Sequence, residues 1–93
     1  MKYRLEYTTK FKKNYKKMIK RGLKREDFRL VITKIQNGEK LDKKYRDHIL
    51  KGEFKGYHEC HIRPDWLLVY KIQDDMLILT LVDTGSHADL FDL

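Results

Sequence analysis

Ninety-three residues suffice for one compact domain, residues 1–93, and are too few for two. The one cysteine, Cys60, cannot form an internal disulfide, no apolar run approaches the roughly 20 residues that span a bilayer, and the N-terminal segment lacks a signal-peptide core; the expectation is a soluble cytoplasmic protein with no membrane partner. The net charge is +7 and unevenly spread: residues 1–56 hold 19 Lys and Arg against 7 Asp and Glu, whereas residues 57–93 hold 2 against 7.

The first predicted element is a strand over Lys2–Tyr7, where Tyr3, Leu5 and Tyr7 alternate onto one face. Thr8 and Thr9 are candidate N-caps for a helix whose apolar stripe is Phe11, Tyr15, Met18 and Ile19 and which Gly22 ends. This helix is strongly basic. No acid falls between Glu6 and Glu26, while nine Lys or Arg fall from Lys10 to Arg25. Cations near a helix N-terminus oppose the macrodipole, so the run points to a polyanion, most simply nucleic acid, or to an acidic protein partner. Lys13, Lys17 and Lys20 are the positions off the apolar stripe expected to make that contact.

Glu26 and Asp27 suit the start of a second helix, with Phe28, Val31, Ile32 and Ile35 as its buried stripe and Asn37-Gly38 as its stop. The link between the two helices is short enough for an antiparallel hairpin. Residues 39–56 lack a period and read as a long loop with one short extended stretch. Tyr57–Arg63 alternates as a strand. Pro64 interrupts it, and Asp65 falls in the turn. Trp66–Ile72 is nearly continuously apolar, as a central strand would be. Gln73–Asp75 forms a hairpin turn and Met76–Val82 the last strand. Thr84-Gly85 turns the chain into a helical turn capped by Ser86 and running through Phe91. The order β-α-α-β-β-β gives an α+β fold: an antiparallel-dominated sheet, the helix hairpin on one face, and a short C-terminal helical turn.

The chemistry-bearing residues cluster in the second half. In the strand 57–63, Glu59, His61 and Arg63 alternate onto one face and His58, Cys60 and Ile62 onto the other. The apolar pair Cys60 and Ile62 should face the helices, which leaves Glu59, His61 and Arg63 on the open face near His48. Histidine can act as acid or base near neutral pH, and arginine can offset charge on a phosphorane. The same stripe is also common cross-strand decoration. There is no CxxC pair and no HExxH motif, so neither a metal site nor any other cofactor is expected. In the last helical turn, His87 and Phe91 stand at i and i+4 and point the same way, with Leu90 beside them to anchor the turn on the sheet.

Tyr45-Arg46-Asp47-His48, Leu50-Lys51-Gly52, Gly56-Tyr57, His61-Ile62-Arg63-Pro64-Asp65-Trp66, Leu68-Val69-Tyr70-Lys71, Gly85-Ser86-His87 and Leu90-Phe91 together resemble the YafQ toxins of the RelE/ParE superfamily. The resemblance implies a RelE-like fold and the toxin of a type II toxin–antitoxin pair. It implies a ribosome-dependent mRNA endonuclease that works without a metal, uses the RNA 2′-hydroxyl as nucleophile, and is silenced by a cognate acidic antitoxin. It places His48, His61, Asp65 and His87 at catalytic positions, with His48 as general base, His87 as general acid, and His61 and Asp65 serving the phosphate. Phe91 would help hold the substrate. Glu59 stands where other members carry aspartate, one methylene shorter. His58 and Cys60 would be spectators. The alternatives are a gyrase-inhibiting toxin of the same fold, which has no need of three histidines, and a non-catalytic nucleic-acid-binding module, which leaves the strand half without purpose.

Overall fold

The computed structural model describes residues 1–52 and 56–91, the last of them, Phe91, by its backbone. β1 spans Arg4–Tyr7, α1 Thr9–Lys20 and α2 Arg25–Gln36. The caps of the two helices differ. The Thr8 hydroxyl accepts the Phe11 amide at 2.9 Å, a cap of the kind worth about 1 kcal/mol. Lys24, at the head of α2, offers no side-chain cap, and Glu26 and Asp27 supply the favourable charge of the first turn instead.

Among the described residues, the expected long loop contains a 3₁₀ turn at Lys43–Tyr45 and a two-residue strand, β2, at His48–Ile49. β3 spans Tyr57–Arg63, β4 Trp66–Gln73, β5 Ile78–Gly85, and α3 is the closing turn His87–Phe91. The five strands lie in the order β1-β5-β4-β3-β2; β1 pairs with β5 in parallel and all other pairs are antiparallel.

The last strand starts later than the expected Met76 and ends later than Val82. Leu77 takes a left-handed conformation (φ 53°), so Met76 and Leu77 stay in the turn with exposed side chains. Thr84 and Gly85, expected to form a turn, still pair with Leu68 and Leu67 of β4. Thr84 is held there because its hydroxyl donates to the Leu67 carbonyl at 2.6 Å and accepts the Trp66 indole N–H at 2.9 Å.

The core lies between the sheet and the helix hairpin. It is built from Phe11 and Met18 of α1, Val31, Ile32 and Ile35 of α2, and Cys60, Ile62, Trp66, Leu68, Tyr70, Leu79 and Leu81 of the sheet. Phe28 links the layers, its ring 4.8 Å from Tyr15 and 6.4 Å from Trp66 between centroids. Beyond Leu81, β5 has outrun β1, and α1 takes over its edge. Thr8 bonds Leu81 and Val82, and Asn14 reaches the buried Asp83 at 2.7 Å. Among the described residues no helix is long and apolar enough to cross a membrane.

Candidate active site

The sheet register brings distant histidines together. His61 of β3 lies opposite Leu67 of β4, and Leu67 lies opposite Gly85 of β5. These three therefore form one row across the face away from the core, and the chain leaves that row at Gly85 directly into Ser86 and His87. Gly85 is needed for the approach of α3: a Cβ there would stand 2.8 Å from Cβ of Asp89. The His87 ring ends up 5.3 Å from the His61 ring, edge to face.

His87 is fixed by Asp65 of the β3–β4 turn. One oxygen of Asp65 accepts both the His87 backbone N–H at 2.9 Å and ring Nδ1 at 2.6 Å. These two bonds, the backbone one first, hold the Asp65 carboxyl below its ordinary value. On the other side of β3, β2 sets His48 opposite Glu59. His48 Nδ1 lies 2.9 Å from the Arg46 carbonyl, and its Nε2 lies 3.6 Å from Glu59 Oε1. A carbonyl can only accept, so Nδ1 carries the proton in that bond. His48, Glu59, His61, Asp65 and His87 thus border one face of the sheet.

Two expectations for this face fail. Glu59 is not open to solvent: its side chain is 7 % exposed, with His48 alongside, and among the described residues its second oxygen finds no hydrogen-bond partner. Arg63 does not share the face of His61. A register irregularity between them breaks the alternation, and Arg63 Nε donates instead to Asp27 at the start of α2, at 2.9 Å. Cys60 is fully buried and its thiol is pushed strongly up by burial, which leaves it an inert neutral group. The Phe91 side chain lies outside the described residues.

Several residues had no assigned role in the sequence. Asp47, next to His48, accepts the Tyr70 hydroxyl and lies 3.8 Å from His58 Nδ1, whose ring stacks on Tyr70 at 4.9 Å. Burial works to raise the Asp47 carboxyl, but its contacts with His58 and Tyr70 outweigh burial and leave it lowered. Asp89 of α3 binds Arg21 at the end of α1, at 2.5 and 3.2 Å. It also forms a reciprocal cap with Ser86, whose amide donates to Asp89 at 2.8 Å while the Asp89 amide donates to the Ser86 hydroxyl at 3.1 Å. The Ser-x-x-Asp spacing was visible in the sequence; the partner Arg21, 68 residues away, was not.

This latch predicts a pH response. Arg21 first, and then the Ser86 amide, hold the Asp89 carboxyl well below its ordinary value. A lowered acid contributes stability above its unfolded-state value, near pH 4, and loses it as pH falls toward the folded value. Melting temperatures measured from pH 7 downward should therefore fall through and below pH 4, in part through Asp89. Asp89→Asn should melt lower at neutral pH and show a flatter acid limb, with the gap narrowing in high salt because the pair is partly exposed. Parallel profiles for the two proteins would contradict the latch.

Lys13, Lys17 and Lys20 are exposed on α1, as expected. Lys17 lines a small hollow with Asn14, Arg21, Thr84 and Asp89, so the basic stripe borders α3.

A family model described as the YafQ bacterial toxin of type II toxin–antitoxin systems matches residues 3–92. The mRNA interferase toxin YafQ of Escherichia coli K12 is 38 % identical over 88 residues, 94 % of each chain. The E. coli DinJ–YafQ toxin–antitoxin complex contains a chain 35 % identical to this one, with a TM-score of 0.87 over 98 % of this chain and 99 % of that one. A metal-bound toxin from Helicobacter pylori is 40 % identical, with a TM-score of 0.90 over 98 % and 100 %. Among the described residues here, no three His, Cys, Asp or Glu side chains gather as a metal site.

Proposed function

Because this chain belongs to the YafQ family of type II toxins, we propose that residues 1–93 act as one toxin domain that shares the mRNA interferase activity of its E. coli relative and cuts message on the ribosome without a metal. The observation that best supports this reading is the His61–His87 pair, 5.3 Å apart, with Asp65 bonded to His87.

In this scheme the RNA 2′-hydroxyl attacks the adjacent phosphorus, the bond to the 5′-oxygen breaks, and the products are a 2′,3′-cyclic phosphate and a 5′-hydroxyl. His48 is the base. Its Nδ1 proton is committed to the Arg46 carbonyl, so Nε2 takes the proton from the 2′-hydroxyl, and the cation formed meets the nearby Glu59 carboxylate. His87 is the acid. Asp65 holds Nδ1, which assigns the transferred proton to Nε2 and fixes the ring's orientation for that transfer. His61 lies against His87 and serves the phosphate. Asp65 works through His87 more than on the phosphate itself. Arg63 is turned toward Asp27 and has no place in the proton transfers.

The proposed partners are a cognate acidic antitoxin and the translating ribosome with its message, in the cytoplasm. Lys13, Lys17 and Lys20 supply a cationic stripe suited to either. Phe91 is the proposed substrate-holding ring. The test is the chemistry of the ends. Message cut in a purified translation reaction should carry a 5′-hydroxyl and a cyclic or 3′-phosphate, and chelator added after the ribosomes are stabilised should not stop cleavage. A 5′-phosphate product would overturn the scheme.

A further inference from the structure

The outer edge of β3 carries a feature that these proton transfers do not use. β2 pairs only with His58 and Glu59, so from Cys60 onward no strand covers that edge among the described residues. The edge opens instead into a cleft of about 460 Å³ between α2 and the 3₁₀ turn Lys43–Tyr45. That volume lies within the range of about 300–1,000 Å³ typical of small-molecule clefts.

Among the described residues, the cations Lys44, Arg46 and Arg63 line the cleft. Asp27 occupies Nε of Arg63. Lys44 rests on the face of the buried Tyr45 ring, 5.1 Å from its centroid, and among the described residues neither Lys44 nor Arg46 meets a carboxylate. Leu30, which is 55 % exposed, and Pro64 supply apolar wall.

The cleft is joined to the active site at two points. His61 forms part of its wall while its ring meets His87. Arg46 lines it while its own carbonyl fixes the His48 ring. Arg46 also holds a left-handed backbone conformation (φ 48°, ψ 42°), uncommon for a long side chain and found where the surroundings impose it.

We propose that this cleft is a nucleotide subsite of the RNA substrate. It takes the nucleotide flanking the cleaved bond, with Lys44 and Arg46 on its phosphate and Leu30 and Pro64 against its base. The inference rests on the RNA cleavage proposed above. The rival occupant is an acidic antitoxin segment. The RNA is favoured because two lining residues touch the proton-transfer groups: the His61 ring meets His87, and the Arg46 carbonyl orients His48.

The test uses the whole chain and a Lys44→Gln/Arg46→Gln variant, which removes both charges and keeps side-chain length. Adenosine 3′,5′-bisphosphate titrated into the isotope-labelled protein should shift the amide signals of Arg46, His61 and Ile62 and saturate. Inorganic phosphate should bind there about tenfold more weakly, since it lacks the base, and the variant should lose the response while melting as the wild type does. On programmed ribosomes, the toxin concentration for half-maximal cleavage should rise about tenfold in the variant. If the bisphosphate leaves those signals unmoved, or moves them equally in the variant, the subsite is wrong. If cleavage is unchanged but antitoxin affinity falls, the cleft belongs to the antitoxin and the subsite is again wrong. Failure of the wild type to cut message at all would instead count against the nuclease reading, and the bisphosphate titration would still decide the subsite.

Discussion

Cleavage of ribosome-bound message should fall by about 10²- to 10⁴-fold in His87→Ala and in His48→Ala, the range expected when a positioned acid or base is lost. Both rings are about half exposed, at 45 % and 51 %, and neither packs in the core. Stability should therefore stay within about 1 kcal/mol of the wild type, so the loss reads as chemistry rather than as unfolding. The contrast is His58→Ala. His58 stacks on Tyr70 on the core side of β3, away from His61 and His87, and this variant should keep most of its cleavage. The effects of His48→Ala and His87→Ala should be strongly non-additive, because the two groups act in one proton-transfer cycle. A double variant that still cuts at the wild-type rate would falsify the acid–base assignment.

Trp66→Ala should be the most damaging single change to stability, costing about 3–5 kcal/mol out of the roughly 5–15 that hold a domain folded. Trp66 is fully buried, stacks near Phe28 of α2, and donates its indole N–H to Thr84 of β5. Truncation opens a cavity between the layers and removes a donor from the hydroxyl that ties β5 to β4. Trp66→Phe keeps most of the apolar volume and should cost less, about 1–3 kcal/mol, because the Thr84 hydroxyl loses its buried partner. Urea denaturation measures both. A shift below about 1 kcal/mol for the alanine variant would mean that the layer contact through Trp66 contributes little.

Much of this architecture was readable in the chain because it rests on local periodicity. The Phe11–Tyr15–Met18–Ile19 and Phe28–Val31–Ile32–Ile35 stripes gave both helices, and the apolar run from Trp66 gave the central strand. What the sequence hid depends on long-range geometry. Alternation placed Arg63 beside His61, but one register irregularity turned it toward Asp27. Glu59 looked like an exposed carboxylate because nothing local shows that β2 will lie against it. Thr84-Gly85 looked like a turn because its anchors, Trp66 and Leu67, sit 18 and 17 residues away. Within the candidate site, the resemblance pointed to positions 48, 61, 65 and 87, whereas the row from His61 through Leu67 to Gly85 that brings His87 to His61, and the β2 pairing that places His48 by Glu59, carried no local signal.

The parallel pairing of β1 with β5 bears on how the protein is made. Arg4–Tyr7 finds its partner only at Ile78–Leu81, and the Thr8 amide and hydroxyl bond to Leu81 and Val82, 73 and 74 positions further along. Contacts that span nearly the whole chain form late, since the closure entropy of so long a loop must be met before they give any return. During synthesis, at roughly 5–20 residues per second, the emerging polypeptide carries His48 and His61 well before β5 exists, and His87 follows only after β5. An unfinished copy, or one broken off before β5, has no means of holding an imidazole beside His61. On the proposed chemistry, a newly made molecule therefore gains its cutting site only after β5 has been made and docked, and pieces that lack β5 should not cut message.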